Sequence, residues 1–293
     1  MVEVIPINNQ QRYRRHGRPV ARDKAGNTIC KVDEVLRKAS VLAEWKFHTF
    51  VQGSARNQTN IEATSDVDVV VCAHIPTTYN DWLEFRQAVF GVFNGKSPLG
   101  KPERAHKTIK LSARAPLLAV DLVVCCEGEQ PGQRTPRAGD GELPVETPIF
   151  FWSLAAEEPI LMESYPQLHA AEVERIDKET GGLYRGEIRL IKRLCSSLKA
   201  PMPSYLLECV IGNAPAGCYS GKLFRTHPKI VDWLGEMSGG LACLSTLGGR
   251  KTIKASASST DLLNLEDFIK HLVKHPDPDQ PEQWYRNRYR DDE

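Results

Sequence analysis

The sequence predicts an α+β fold in which a strand-rich first part is followed by a helical half. Up to residue 126, short apolar runs with a period of two are separated by stretches with helical spacing. Residues 127–148 are then dense in glycine, proline and charge, as in an excursion from a sheet or a link between lobes. Beyond them the chain becomes helical, so an antiparallel or mixed sheet with an associated helical half is expected rather than a doubly wound sheet.

The elements of the first part follow from where the apolar side chains recur. Helical spacing over 28–42 predicts a first helix, and Trp45, Phe47 and Val51 share one face of a strand at 45–52. That strand ends in a tight turn at Gly53-Ser54, and a polar loop occupies 57–65. The remaining predicted elements are a valine-rich strand at 66–72, an amphipathic helix at 79–93, a strand at 107–111 and a strongly apolar strand at 117–126.

The helical half is divided by glycine and proline. The pattern predicts helices at 168–180, 184–198, 204–211, 228–237 and 261–275. The breaks between them fall at 181–182, 201–203 and 239–240.

Composition limits the class of protein. The chain has 41% hydrophobic and 26% charged residues, and no run approaches the roughly 20 apolar residues of a membrane helix. The amino terminus also lacks the pattern of a secretory signal. The chain is therefore expected to be cytoplasmic without a membrane partner. Eight cysteines lack paired CxxC spacing, which favours reduced, buried thiols. A net charge of +1 gives no general reason to expect nucleic acid as a partner, although both ends of the chain are more basic. The basic ends are either solvated tails or a surface that attracts triphosphates or a polyanion.

A small-residue turn and two nearby acids predict a phosphate and metal site. Asp66 and Asp68 lie on one face of a strand, where two carboxylates repel unless a cation such as magnesium lies between them. Gly53 lets backbone amides approach a phosphate, and the Ser54 hydroxyl can donate to it. Taken singly, the turn and the acids are compatible with an ordinary loop and a solvated strand face.

Asp121 is the third candidate acid, within the apolar run LLAVDLVVCC. A carboxylate buried there without compensation would cost several kcal/mol or become neutral. If its strand lies beside the Asp66 strand, the three acids can hold two divalent ions about 3.5–4 Å apart. Asp121 is then the residue best placed to accept the proton of an attacking hydroxyl.

Gly53-Ser54, an eleven-residue gap and the DVDV run that starts at Asp66 resemble the signature of the nucleotidyltransferase superfamily with a polymerase-beta-type fold. The fuller pattern resembles the cGAS/DncV-like nucleotidyltransferases of bacterial anti-phage CBASS systems over about residues 51–215. It consists of QGSARNQTNI, SDVDVVV, KTIKL, VDLVV, SYPQLH, RGEIRLIKRL and PSYLLECVIGNAP. The resemblance implies a polymerase-beta-like core at 1–165 that carries the metal site, a helical lobe at 166–293 that carries nucleotide-binding residues, and an active site in the cleft between them.

The resemblance also implies roles for three residues of the helical half. Lys192 would reach the donor triphosphate, Ser204 would hydrogen-bond it and Tyr205 would stack on the base. Without the resemblance, an ordinary surface lysine, a helix cap and a core aromatic are the commoner explanations of these residues. The implied cofactor is a pair of Mg²⁺ ions, with Mn²⁺ as an alternative.

The implied reaction joins nucleoside triphosphates (ATP, GTP, UTP or CTP) into a cyclic di- or trinucleotide with release of pyrophosphate, for a responsive effector protein. The alternatives are addition of a nucleotide to an RNA end, a small molecule or a protein, and a sensing module without turnover.

Overall fold

The computed structural model describes residues 23–61, 66–95, 97–112, 116–127, 145–198, 200 and 202–274. These residues divide into two compact units. The sheet unit takes its described residues from 20–56 and 62–171, and the helical unit takes its own from 57–61 and 172–293. The segment 57–61 thus groups with the helices, and the expected boundary between 165 and 166 stays a prediction.

The described residues of the sheet unit form a seven-stranded mixed sheet. Its strands are β1 (Phe47–Gln52), β2 (Val67–Ala73), β3 (Pro102–Arg104), β4 (Ile109–Leu111), β5 (Val120–Cys126), β6 (Ile149–Ser153) and β7 (Ile160–Ser164). The main order is β1-β2-β5-β4-β3, with β6 pairing β5 and β7 pairing β6. Only the central β2–β5 pair is parallel. The predicted mixed sheet is confirmed.

In sequence, the helices of the described chain precede the first strand, lie between strands and follow the last strand. They are α1 (Asp23–Arg37), α2 (Gly53–Asn57), α3 (Tyr79–Phe93), α4 (Pro166–Glu179), α5 (Leu183–Ser197), α6 (Ser204–Gly212), α7 (Leu223–Glu236), α8 (Ile253–Ser256) and α9 (Ser259–Lys274). Short 3₁₀ turns occupy Ser40–Leu42, Ala216–Cys218 and Leu241–Cys243. No helix among the described residues combines the length and the apolar character needed to cross a bilayer.

Both faces of the central strands are buried, which explains why β2 and β5 have so many valines. One face of each strand, exemplified by Val69 and Leu122, packs in the main core with α1 and α3. The other face carries a smaller apolar cluster that includes Val70 and Val123. Strands buried on both faces are near-continuously apolar. Polar residues on them, such as Asp68 and Asp121, therefore need a specific reason to be there.

The segment 57–61 is ordered by side chains of the helical unit. Glu208 on α6 accepts hydrogen bonds from Asn57 Nδ2 at 2.8 Å and from Thr59 Oγ1. Arg185 and Arg189 of α5 donate to the backbone carbonyls of Asn57 and Gln58. Asn57, Thr59 and Glu208 are all at most 2% exposed. A run that is polar in sequence is thus a buried, fully bonded part of this unit.

This network gives a stability prediction for Glu208→Ala. The substitution leaves the Asn57 amide and the Thr59 hydroxyl buried without their acceptor, at a cost of about 3 kcal/mol of unfolding free energy. Denaturant unfolding followed by circular dichroism measures the change. Glu179→Ala is the control, because Glu179 forms a surface pair with Arg175 that is expected to contribute under about 1 kcal/mol. Equal stability of the two variants would contradict the buried role of Glu208.

Candidate active site

The strand register places two of the predicted acids side by side. Asp68 is the second residue of β2, Asp121 is the second residue of β5, and the two are direct partners in the parallel pair. Partners at one level of a parallel pair point to the same face of the sheet, on strands about 4.8 Å apart. Asp66 lies two residues before Asp68 and is exposed. The adjacency on which the three-acid prediction depends is present in the fold.

Two further polar residues extend this row across the sheet. Gln52 of β1 is the partner of Asp68, and Lys110 of β4 is the partner of Asp121. The sequence analysis did not single out either of them. Lys110 had a usable signal, since it is an exposed residue between the buried Ile109 and Leu111. Its position beside an acid depends on strand pairing and could not be read locally.

The surroundings of Asp121 favour its protonated form. Burial raises the pKa of the Asp121 carboxyl, Lys110 lowers it, and the negative charge of Asp66 raises it again. The influence of Asp66 means that the two acids are close enough to repel. A carboxylate with a raised pKa is a stronger base than an ordinary aspartate. Two carboxylates that repel each other in this way are stabilised by a cation between them.

Gly53 lies directly against the Asp68 carboxylate. It follows β1, begins the short helix α2, and has φ +65°, a conformation that costs glycine little. A Cβ at this position would overlap Asp68 Oδ2 and lie 3.0 Å from Cγ. The predicted tight turn at this point is a single short helix. Ser54, its second residue, is 8% exposed.

The carboxylate oxygens of the three acids are farther apart than the ligand atoms of a site for a single ion. Among the described residues, the side chains with ligand atoms all within 4.8 Å of one another are His48, Cys72 and Glu127, not the three acids. Two ions about 3.5–4 Å apart need carboxylates spread over a longer span than one ion does.

Lys192, Ser204 and Tyr205 belong to the helical unit. Lys192 lies on α5 and is half-buried, whereas Ser204 begins α6, and these two helices pack together. Pro203 precedes Ser204 as the N-cap residue, so Ser204 is the first residue of the helix rather than its cap. The roles of these residues toward a nucleotide stay predictions.

Tyr205 combines an exposed ring with a buried hydroxyl. The residue is 43% exposed. Burial raises the pKa of its phenol, as does the neighbouring Cys209, while hydrogen bonds with Ser256 and Thr246 lower it. A ring held by its hydroxyl end and open on its surface is suited to stacking on a flat partner.

Residues 171–277 match the model of the cGAS/DncV-like nucleotidyltransferase C-terminal helical domain. The chain is also 27% identical to a cyclic UMP-AMP synthase of Rhodothermus marinus, over 78% of this chain and 83% of the relative. The chain is thus similar to the cGAS/DncV-like nucleotidyltransferases. A cyclic dipyrimidine nucleotide synthase CdnE of Legionella pneumophila is 23% identical over 76% of this chain and 82% of its own.

The fold of the chain agrees with that of solved nucleotidyltransferase structures. The structure of the Rhodothermus marinus CdnE c-UMP-AMP synthase with Apcpp and Upnpp superposes with a TM-score of 0.72 at 22% identity, covering 92% of this chain and 97% of that one. The predicted polymerase-beta-like core with a helical lobe is confirmed as the fold class, and the predicted resemblance to this family is confirmed with it. The three carboxylates lie outside the matched helical domain, in the sheet unit.

Proposed function

We propose that the chain joins nucleoside triphosphates into a cyclic di- or trinucleotide and releases one pyrophosphate for each bond formed. The observation that carries the proposal is the alignment of Asp68 with Asp121 on neighbouring strands, with Gly53 against the Asp68 carboxylate and Asp66 close enough to raise the pKa of Asp121. Two relatives named as synthases of cyclic nucleotides support the product class.

The acids fit a pair of magnesium ions, with manganese as a substitute. They offer oxygen donors only, which is the ligand type that magnesium prefers. Asp66 raises the pKa of Asp121, so that the apo site carries an unfavourable like-charge interaction that a cation relieves. Asp66, Asp68 and Asp121 would hold such ions, which would supply stabilisation of the charge that develops on the oxygens during displacement.

The residues of the chain then bind substrate and move one proton. A ribose hydroxyl of the acceptor nucleotide forms a bond to the α-phosphorus of the donor, the bond to the β-phosphate oxygen breaks, and pyrophosphate leaves. Asp121 accepts the hydroxyl proton, a role that suits its raised pKa. Because Gly53 has no side chain, the Asp68 carboxylate can lie directly against the backbone where the donor phosphates bind, and Ser54 donates a hydrogen bond to them.

The donor nucleotide is further held by the helical unit. Lys192 supplies a positive charge for the triphosphate, Ser204 a hydrogen bond and Tyr205 a stacking surface for the base. A linear intermediate then turns over in the same site to close the ring. The product acts as a second messenger for an effector protein in anti-phage defence.

The test is a product assay on the purified full chain. Radiolabelled ATP, GTP, CTP and UTP are incubated with the protein and magnesium or manganese, treated with phosphatase and separated by thin-layer chromatography. A phosphatase-resistant product that disappears in the Asp66→Ala, Asp68→Ala double variant supports the proposal. A product that persists in that variant contradicts the metal site. Label that is transferred to added RNA or protein, with no phosphatase-resistant small-molecule product, contradicts cyclisation and favours another acceptor.

Tyr205→Ala is expected to weaken donor binding more than it slows the reaction. Stacking of an aromatic ring on a base contributes about 1–3 kcal/mol, so the KM for the donor triphosphate should rise about 5- to 150-fold with a smaller change in kcat. Tyr205→Phe keeps the ring and is the matched control, with a KM close to that of the wild type. Equal KM values for both variants would rule out stacking by Tyr205. Initial rates over a range of donor concentrations give both constants.

A further inference from the structure

A second group of polar side chains lies on the same sheet face as Asp68 and Asp121, at the other end of the same strands. His48 of β1 pairs with Cys72 of β2, which pairs with Cys125 of β5, so that the three form a row across the sheet. His74 and Glu127 follow Cys72 and Cys125 by two residues, and their amides donate to the carbonyls of Lys46 and Ala73, which continues the ladder. Period two therefore brings imidazole, thiol and carboxylate groups to one face.

Two nitrogen-to-oxygen distances within this group, from His48 and from His74 to Glu127, are close to those between ligands of a tetrahedral metal ion. The ligand atoms of His48, Cys72 and Glu127 all lie within 4.8 Å of one another. His48 Nδ1 is 3.0 Å from Glu127 Oε1, and His74 Nδ1 is 3.3 Å from Glu127 Oε2. Bonds of about 2.0–2.2 Å from zinc to nitrogen and oxygen, at a tetrahedral angle, would hold such atoms about 3.3 Å apart. Small side-chain shifts would therefore admit a metal ion.

The charges of this group favour the binding of a cation. Glu127 is 7% exposed, and a buried carboxylate needs a positive partner. Burial lowers the pKa of His48, while Glu127 raises it and His74 lowers it, so the ring tends toward the neutral form that metals bind. Within the described part of the chain, His48 Nε2 is also buried without a hydrogen-bond partner. A native structure keeps few such atoms without a reason.

We propose that His48, Cys72 and Glu127, with His74 as the fourth ligand, form a binding site for one divalent transition-metal ion of the zinc type. Nitrogen, sulfur and oxygen ligands together select such an ion, whereas the all-oxygen set at the other end of the strands suits magnesium. Burial raises the pKa of the Cys72 thiol, so binding displaces its proton.

The consequence of this site is mechanical. Cys72 lies four positions after Asp68 on β2, and Cys125 lies four positions after Asp121 on β5, which corresponds to about 13 Å along each strand. A metal bound at the far end ties β1, β2 and the end of β5 together. It thereby stiffens the two strands that carry the acids, without touching the substrate.

The test uses the full chain, purified without a histidine tag, stripped with a chelator and titrated with Co²⁺. A thiolate-to-cobalt charge-transfer band that saturates at one equivalent per chain is expected, and zinc should abolish it by displacement. The band should be lost in Cys72→Ser and in Glu127→Gln. It should persist in Cys126→Ala, the matched control, because the buried Cys126 directs its Sγ to the carbonyl of Phe150 instead.

Two further readouts separate this site from the proposed catalytic one. The Asp66→Ala, Asp68→Ala double variant should keep the cobalt band, whatever its activity. Zinc at about 100 times its Kd should raise the Tm of the wild type by roughly 5–10 °C and leave the Tm of Glu127→Gln unchanged. A wild type without the band, or a band that survives Cys72→Ser, overturns the proposal. Neither outcome depends on nucleotide synthesis.

Discussion

Asp121→Asn is expected to lower kcat by at least about a thousandfold while leaving the fold intact. The change removes the proton acceptor, a contribution of about 10²–10⁴, and one negative charge from the metal ligands. The amide has almost the shape of the carboxyl, so β5 should keep its pairing with β2 and β4. The rate of pyrophosphate release in the presence of magnesium and the triphosphates measures kcat.

The same variant should be slightly more stable than the wild type at neutral pH. Burial raises the pKa of Asp121, so the folded state binds this proton more tightly than the unfolded state does. Between the unfolded pKa, about 3.9, and the raised native pKa, the wild type therefore loses stability as the pH rises. Asparagine is not subject to this loss, and the gain in Tm should vanish below about pH 4, where the carboxyl is protonated in both states.

Opposite changes in activity and stability identify a residue kept for chemistry rather than for folding. Glu84→Gln on α3 is the control, because it removes an exposed carboxylate of the same unit and should change neither kcat nor Tm. An Asp121→Asn enzyme with more than about a tenth of the wild-type kcat, or one that is strongly destabilised, would count against the proposed role of Asp121.

The row of acids could be predicted from the sequence because a buried carboxylate requires compensation of its charge, whatever the local periodicity. An aspartate among valines needs a compensating positive charge, and a cation held jointly with acids of a neighbouring strand supplies it. The register of β2 and β5 meets this condition. Helix α3 was also predicted with the bounds that the structure has, since its apolar face and the Thr78 cap are both local signals.

Other elements could not be predicted because they depend on contacts distant in sequence. Strands β6 and β7 are short, β7 is mostly exposed, and β6 joins β5 at a single pair, Cys126 with Phe150. Neither strand has the long alternation that would reveal it. The segment 57–61 has a polar sequence and is ordered by residues more than 120 positions away.

The start of α7 shows a local rule overridden. Proline usually marks the beginning of a helix, and the predicted helix therefore began at 228. The helix begins five residues earlier, at Leu223, with Pro228 inside it. Phe224, Ile230 and Leu234 are buried in this helix. Their burial offsets the one backbone hydrogen bond that the proline cannot donate.

Gly53→Ala is expected to lower kcat by about a hundredfold or more, although it adds a single methyl group. The methyl carbon would overlap Asp68 Oδ2, and the rigid partner strands on both sides prevent β2 from moving away. The carboxylate must therefore rotate or the loop must shift. Displacements of about 1 Å in a reacting geometry cost about 10²-fold in rate.

Gly53→Ala has two effects that need separate measurement: the backbone strain of a positive φ and the overlap of the new methyl group with Asp68. Gly221 has the same φ of +65°, and a Cβ there would meet no atom within 4 Å among the described residues. Gly221→Ala therefore carries the same backbone cost, about 1–2 kcal/mol, without the contact. Gly53→Ala should lose at least as much Tm as Gly221→Ala, but only Gly53→Ala should lose activity and affinity for magnesium. If the two variants lose activity equally, backbone strain rather than the Asp68 contact explains why glycine is needed at position 53.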